Sequence, residues 1–518
     1  MSGLFSKFAT VGGATMASRV LGFAREAMMA AALGTGPVAD VFYTCFRFPN
    51  LFRRLFAEGA FNIAFIPLFA KELESGGKDA AQKFGQEVFV VLASWLLVFT
   101  GLALLFMPYL VSTIVAPGFV DNPEKFELSV AMTRIMFPYL MWMSLVAMFS
   151  GILNSLRKYF LAAIVPVLLN VILVSVLFFG ITLSLGERQI GIALAWGVFF
   201  SGIAQFLFLF WGVREQGMGF RLTTPKLTAP VRRLLILMGP ALLTGGVLQI
   251  NLLIGTIIAT AQDGANALLN YADRLNQLPL GVIGIAVGVV LLPELSRALK
   301  AGDQQHAQNL QNNSLEFALA LTLPAAVGFM VIPEDIVKLV YERGEFDGQA
   351  TTDTATALAF FAAGLPAYVM IKVFQPAFFA REDMRTPFYF SLVMVAINIA
   401  LSLYLFPALG HAAIAIATSV SAWVNLALLA ATQWVRGDFR PDKKSMERLM
   451  TILGAAMFMG VAIYFLREFF SLALFDASFM VHAIITVGMI AISASLYFWI
   501  CFISGLIDRS AIKRLLRR

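Results

Sequence analysis

Two cysteines and three histidines in 518 residues leave little material for thiol or metal chemistry. Cys45 and Cys501 lie in apolar segments at opposite ends of the chain, so they are expected to be small buried hydrophobes and not a disulfide framework. His306, His411 and His482 show no metal-ligand spacing, and neither HExxH nor a P-loop pattern occurs. An enzyme, a cofactor or a metal is therefore not expected. Charge is scarce as well: Asp, Glu, Lys and Arg make up 13% of the chain and gather in short connectors, which leaves no room for a separate soluble catalytic domain. No nucleic-acid partner is expected.

What is present is apolar. Hydrophobic residues reach 59% with a mean hydropathy of +0.81, whereas soluble domains hold about half apolar residues. The composition is that of a polytopic membrane protein. Fourteen apolar helical spans can be read, near 8–33, 39–74, 86–115, 129–154, 160–184, 190–213, 229–261, 266–300, 312–333, 352–379, 386–406, 411–435, 447–470 and 480–506. MSGLFSKF resembles a short signal n-region, but Arg19 interrupts the apolar run and no cleavage site is evident, so this run is expected to stay as the first span.

An even number of spans puts both termini on one side. Lys125, Arg134, Arg188, Lys338, Arg343 and Arg467 fall on the opposite side, while Arg19, Arg25, Arg47, Arg53, Arg54, Arg274 and Lys372 lie at membrane depth. The rest of the 38 lysines and arginines share the side of the termini, which are expected in the cytoplasm of a plasma-membrane protein. The basic clusters at 436–448 and 509–518 suit an anionic inner leaflet.

The chain also repeats itself weakly. Pro138, Arg157 and Asn170 recur as Pro366, Arg385 and Asn398, and Arg47 and Pro67 as Arg274 and Pro293, at nearly one offset. A period that encloses six spans leaves both copies in the same orientation, a parallel repeat with its axis along the membrane normal. The expected organisation is an N-terminal six-helix lobe (1–214), a C-terminal six-helix lobe (229–435), an extra helix pair (447–506) and a basic tail (507–518). The repeat also argues that span 2 runs on to about residue 74, kinked near Pro49, which would bring Arg53, Arg54 and Glu58 into the membrane.

Arginine within membrane-grade sequence needs an explanation, since one at mid-membrane costs about 2.5–3.5 kcal/mol on insertion scales. Asp40, Arg47 and Arg54 are seven apart in turn and form one helical stripe, with Asp40 expected to hold Arg47. Arg19 and Arg25 are about 120° apart around their helix and converge only if Gly22 lets it bend. Asn270, Asp273 and Arg274 form a comparable cluster in the second lobe, with Lys372 in span 10. Set against Glu26, Asp40, Glu58 and Asp273, the seven bases at membrane depth leave a positive excess. Such a cavity suits an anionic ligand, and arginine over lysine suits bidentate recognition of phosphate or carboxylate. The alternative for these residues is a set of interhelical ion pairs that fixes packing.

The strings SRVLGFARE, ADVFYTCFRFPNLFRRLFAEGAF, YADRLNQLPLGVIGIAVGVVLLPELS and REDMRTP closely resemble the MurJ (MviN) family of peptidoglycan lipid II flippases, in the multidrug/oligosaccharidyl-lipid/polysaccharide exporter superfamily. The similarity extends along all fourteen spans and is strongest in spans 1, 2 and 8. It implies a V-shaped two-lobe transporter that moves an undecaprenyl-diphosphate-linked disaccharide peptide to the outer leaflet by alternating access, with spans 13 and 14 forming a groove for the polyprenyl tail. Membrane lipids, and peptidoglycan-synthesis proteins, are the further partners this implies. The family's functional residues in these motifs correspond to Arg19, Arg25, Asp40, Arg53 and Arg274. Some members are described with a sodium site among spans 7, 11 and 12. Here those spans carry Asn251, Asn398, Ser402, Thr418 and Ser419 at mid-depth and no carboxylate, and a neutral cage binds a hard cation weakly. The competing readings are an exporter of another lipid-linked oligosaccharide; a drug exporter of the same fold, which would call for an acidic cavity; a membrane enzyme acting on polyprenyl diphosphates, which would call for clustered acids; and a scaffold for envelope synthesis.

Overall fold

The computed structural model describes residues 2–55, 61–475 and 478–506, and among these the side chains of 2–11, 240, 241, 243–245, 248, 282–290 and 475 are left aside. Glu58 and the basic tail residues 509–518 lie outside the described residues. Among the described residues the chain is helical, with no strand, and it divides into two compact units, Met1–Ala267 with Arg343–Phe346, and Leu268–Glu342 with Asp347–Arg518.

The first unit holds α1 (Ser2–Leu33), α2 (Pro37–Phe52), α3 (Asn62–Leu105), α4 (Met107–Leu110), α5 (Pro123–Met136), α6 (Tyr139–Ser155), α7 (Tyr159–Thr182), α8 (Glu187–Glu215) and α9 (Ala229–Ala259). Its main packing pairs are α1 with α7, α7 with α8, α6 with α8 and α3 with α6. Phenylalanine fills the spaces between them: Phe65 stacks on Phe61 and Phe84, and Phe149 meets Phe89, Phe206, Phe210 and Phe220. These rings supply the packing that lipid cannot drive, because burying apolar surface away from lipid gains little.

Span 2 does not run as one rod. α2 contains Pro49 and reaches Phe52, and a segment wound in the π manner follows. α3 is broken at Gly77, whose φ of 71° and ψ of −165° no helix can accommodate. The break separates Asn62–Gly76 from the stretch that ends at Leu105 and marks the turn between spans 2 and 3. Span 4 starts six residues before the expected 129, at Pro123, where Asn122 caps the helix by accepting from the Lys125 amide. Pro138 then interrupts it between α5 and α6, since proline removes an intrahelical bond.

The second unit holds α10 (Ala265–Lys300, from Leu268), α11 (Gln304–Val331), α12 (Pro333–Tyr341), α13 (Gly348–Phe379), α14 (Arg385–Leu409), α15 (His411–Arg436), α16 (Lys443–Phe469), α17 (Ser471–Phe475) and α18 (Phe479–Ile503). Asp303, Asp347 and Asp442 cap α11, α13 and α16. Its core is built from smaller residues: Ala367, Val373, Ala377, Ala422 and Leu429 join Leu295 and Leu319. Small residues let helices approach closely. At Gly364 on α13 an added Cβ would sit 2.5 Å from Ser419 Oγ on α15. The short amphipathic α12 and the five-residue α17 are too short to cross a bilayer and so leave no span signal in the sequence.

Ten spans among the described residues combine the length and apolarity needed to cross a bilayer: α3, α5 and α6 together, α7, α8, α11, α13, α14, α15, α16 and α18. Many of their outward positions are large and apolar, such as Trp95, Leu105, Phe179, Tyr404, Val435, Phe465 and Ile484.

Candidate functional site

The charged residues of the first unit form two separate polar clusters. The first joins α1, α2 and α7 around Arg25. The guanidinium donates through Nη2 to Glu26 Oε1 and, over 3.1 Å, through Nη1 to Asn170 Oδ1. Tyr43 from α2 donates to the other Glu26 oxygen at 2.6 Å, and Asn170 donates back to the Ser18 carbonyl at 3.0 Å. Arg25 and Glu26 are both buried, at 9% and 1% exposure, so an ion pair held by neutral donors and acceptors sits inside apolar surroundings. The Nε of Arg25 has no hydrogen-bond partner among the described residues.

Arg19 does not share this cluster. It is exposed while Arg25 is buried, as their 120° separation allows, and Gly22 between them lies against Asn170, where an added Cβ would be 3.6 Å away. That is an ordinary contact distance, so a Cβ would fit between α1 and α7 here.

The second cluster corrects the expected pairing of Asp40 with Arg47. Lys125 of α5 donates to Asp40 Oδ2 at 2.7 Å, and the backbone amides of Asn266, at 3.0 Å, and of Gly264 also reach the Asp40 carboxylate. Lys125 is 3% exposed, lies 4.0 Å from the centre of the Phe119 ring, and makes a second ion pair at 2.7 Å with the exposed Asp263. Arg47 instead donates to Thr256 of α9 at 2.8 Å. The physical reason is axial. Residues seven apart share a face but stand about 10 Å apart along the axis, while contact favours spacings of three or four. Arg53 turns back to Asn50 at 2.8 Å, and Arg54 is exposed.

In the second unit Asp273 accepts from Gln277 one turn on, Arg274 is half-buried and Lys372 is exposed. Asn398 of α14 donates to Thr418 at 3.2 Å and Ser421 at 3.3 Å and accepts from Ser402 at 3.4 Å, while Ser419 donates to the Phe360 carbonyl. Asn251 lies on α9 in the first unit. Among the described residues no group of three or more His, Cys, Asp or Glu is placed to hold a metal.

Sequence reasoning singled out Arg25 and Asp40 but missed Lys125 and Asn266 at Asp40, Tyr43 at Glu26 and Asp263 at Lys125. Asn170 did carry a signal, as one of the repeated positions, and it and its counterpart Asn398 both join neighbouring helices through their side-chain amides. For Lys125 there was none, because a lysine in a short connector reads as solvated.

The sequence model of one family, described as lipid II flippase MurJ, matches residues 29–486. The chain is 49% identical over 516 residues to a Rhizobium tropici protein named "Probable lipid II flippase MurJ", covering 99% of this chain and 97% of that one. It is 33% identical over 508 residues to lipid II flippase MurJ of Burkholderia cenocepacia, covering 97% and 98%. Among solved structures it resembles lipid II flippase MurJ in an inward closed conformation, with a TM-score of 0.77 at 23% identity over 94% of this chain and 98% of that one. An inward-facing multidrug resistance MATE family transporter of the MOP superfamily gives a TM-score of 0.67 at 14% identity, over 84% and 96%. These two structures speak to the fold alone.

Proposed function

Since the chain belongs to the lipid II flippase MurJ family, we propose that it carries lipid II, an undecaprenyl-diphosphate-linked glycopeptide, from the inner to the outer leaflet of the bacterial plasma membrane for cell-wall synthesis. It is a transporter and makes or breaks no covalent bond. In this reading fourteen helices cross the membrane with both termini in the cytoplasm, α1–α8 and α9–α15 supply the two six-span lobes, and α16 and α18 receive the polyprenyl tail.

The substrate contacts are Arg19, Arg25, Arg47, Arg53, Arg54, Arg274 and Lys372, with Asp40 and Asp273 as the acids among them. Guanidinium groups recognise a diphosphate through paired N–H donors, and the cationic excess offsets the two charges that the diphosphate brings. Asp40 contributes by holding Lys125 and the start of α10, not by touching the anion. The observation that carries the reading is Arg25: a buried guanidinium fixed by Glu26 and Asn170 whose Nε has no hydrogen-bond partner among the described residues. Most buried polar atoms have a partner, and an anion is the partner that suits this one.

The test is depletion of the protein in cells, followed by measurement of which lipid-linked precursor accumulates and on which leaflet. Lipid II should build up on the inner leaflet. A normal rate of arrival at the outer leaflet would overturn the assignment.

A further inference from the structure

A cavity of about 370 Å³ opens within the second unit, between α12, the start of α13, and the α16 to α18 turn. Its wall carries four carboxylates, from Glu334, Asp335, Glu342 and Glu468, against two bases, Lys338 and Arg467. The bases are held at the wall: Arg467 donates to Asp335 at 2.7 Å and to Glu334 at 3.2 Å, and Lys338 lies 3.4 Å from Glu342. Two negative charges remain in excess.

A second observation points to a ligand. His482 lines the same cavity and is 2% exposed, and its Nε2 faces the Asp335 carbonyl at 3.4 Å. A carbonyl oxygen only accepts, so Nε2 carries the ring proton and Nδ1 presents a lone pair. That Nδ1 has no partner among the described residues. A buried acceptor left empty costs stability unless something donates to it. Thr351 does not, because its single hydroxyl proton goes to the Glu342 carboxylate at 2.7 Å, with the Asp347 carbonyl at 3.1 Å as the alternative acceptor.

We propose that this cavity binds the primary ammonium of an ethanolamine phospholipid headgroup, with Glu342 and His482 Nδ1 accepting from the ammonium and Arg467 and Lys338 facing the phosphate. An ammonium has three donors and no acceptor, which matches a negative, acceptor-rich wall. The two bases at the wall match the other half of a zwitterion. The amphiphile is argued by the surroundings: Phe469 is 79%, Leu472 91% and Met480 71% exposed next to the charged residues, so acyl chains have an apolar surface beside the headgroup. The volume is within the roughly 300–1,000 Å³ of small-molecule sites. All of its lining residues belong to the second unit, and it concerns the lipid solvent, not the transported precursor.

The experiment uses the full-length protein in neutral detergent, titrated with phosphatidylethanolamine, phosphatidylcholine or phosphatidylglycerol and read by native mass spectrometry and by the shift in melting temperature. Phosphatidylethanolamine should bind at least tenfold tighter than phosphatidylcholine, whose quaternary ammonium has no N–H, and Glu342→Gln and His482→Phe should each remove most of that preference. Melting each variant without added lipid separates loss of binding from loss of fold. Equal retention of the ethanolamine and choline lipids, preference for phosphatidylglycerol, or an unchanged preference in Glu342→Gln would overturn the proposal. Saturation by free ethanolamine at the same concentration would show an amine site without lipid and would overturn the headgroup assignment.

Discussion

The Asp40–Lys125 pair lends itself to a double-mutant cycle. Asp40 is fully buried and the Lys125 side chain is 2% exposed, so neither charge has water to fall back on. Lys125→Met removes the cation and leaves a buried carboxylate with two backbone amides, which should cost about 3–5 kcal/mol, as for other broken buried pairs. Asp263 adds little to this, because its side chain is 88% exposed and exposed pairs contribute about 0–1 kcal/mol. Adding Asp40→Leu removes the stranded charge, so the double variant should recover most of the loss, an interaction of at least about 2 kcal/mol. The parallel cycle of Asp40 with Arg47 should be additive within about 0.5 kcal/mol, since these two share no contact. The assay is denaturant titration of the purified protein in detergent, with helicity as readout. Strict additivity for Asp40 with Lys125, or strong coupling of Asp40 with Arg47, would refute the reasoning.

Alanine at Arg19, Arg25 or Arg274 should abolish complementation of a depleted strain while immunoblots show normal accumulation, and lysine at Arg25 should rescue poorly because it cannot serve Glu26 and Asn170 together. Full complementation by all three alanine variants would remove the cationic-site idea. Outward movement of a diphosphate carrying two negative charges should be driven by an inside-negative potential, by roughly 4–5 kcal/mol per 100 mV. Vesicles with a valinomycin-clamped potassium potential and equal sodium and pH on both sides would show this, and transport indifferent to the potential would contradict it. In the loop between α13 and α14, hydrogen bonds from Arg436 and from the Thr386 amide hold the Asp383 carboxyl down to about 2. A folded value below the unfolded one means that the pair's contribution is complete above about pH 4 and fades as pH falls toward 2. Asp383→Asn should therefore lower the melting temperature slightly at pH 6 and make no difference near pH 2, and an equal deficit at both would argue against the ion pair.

The sequence by itself determined that this chain is a bundle of membrane helices, because an apolar run of sufficient length has no other way to satisfy its backbone in lipid. It also located the anomaly: arginine and acid in α1 and α2 cannot face lipid, whatever they do face. The 120° between Arg19 and Arg25 separated their directions around α1, but did not say which of the two would be buried. Partners were not legible. Asp40 and Arg47 lie on one stripe, yet the carboxylate is taken by a lysine 85 residues on in the chain and by amides of Gly264 and Asn266, brought there by how α5 and the turn before α10 pack. Glu26 likewise is shared with Tyr43 of another helix. Helix formation depends on neighbours within four residues and on hydropathy, so it is written locally. An ion pair depends on which of many helix faces come together, and only the tertiary structure decides that.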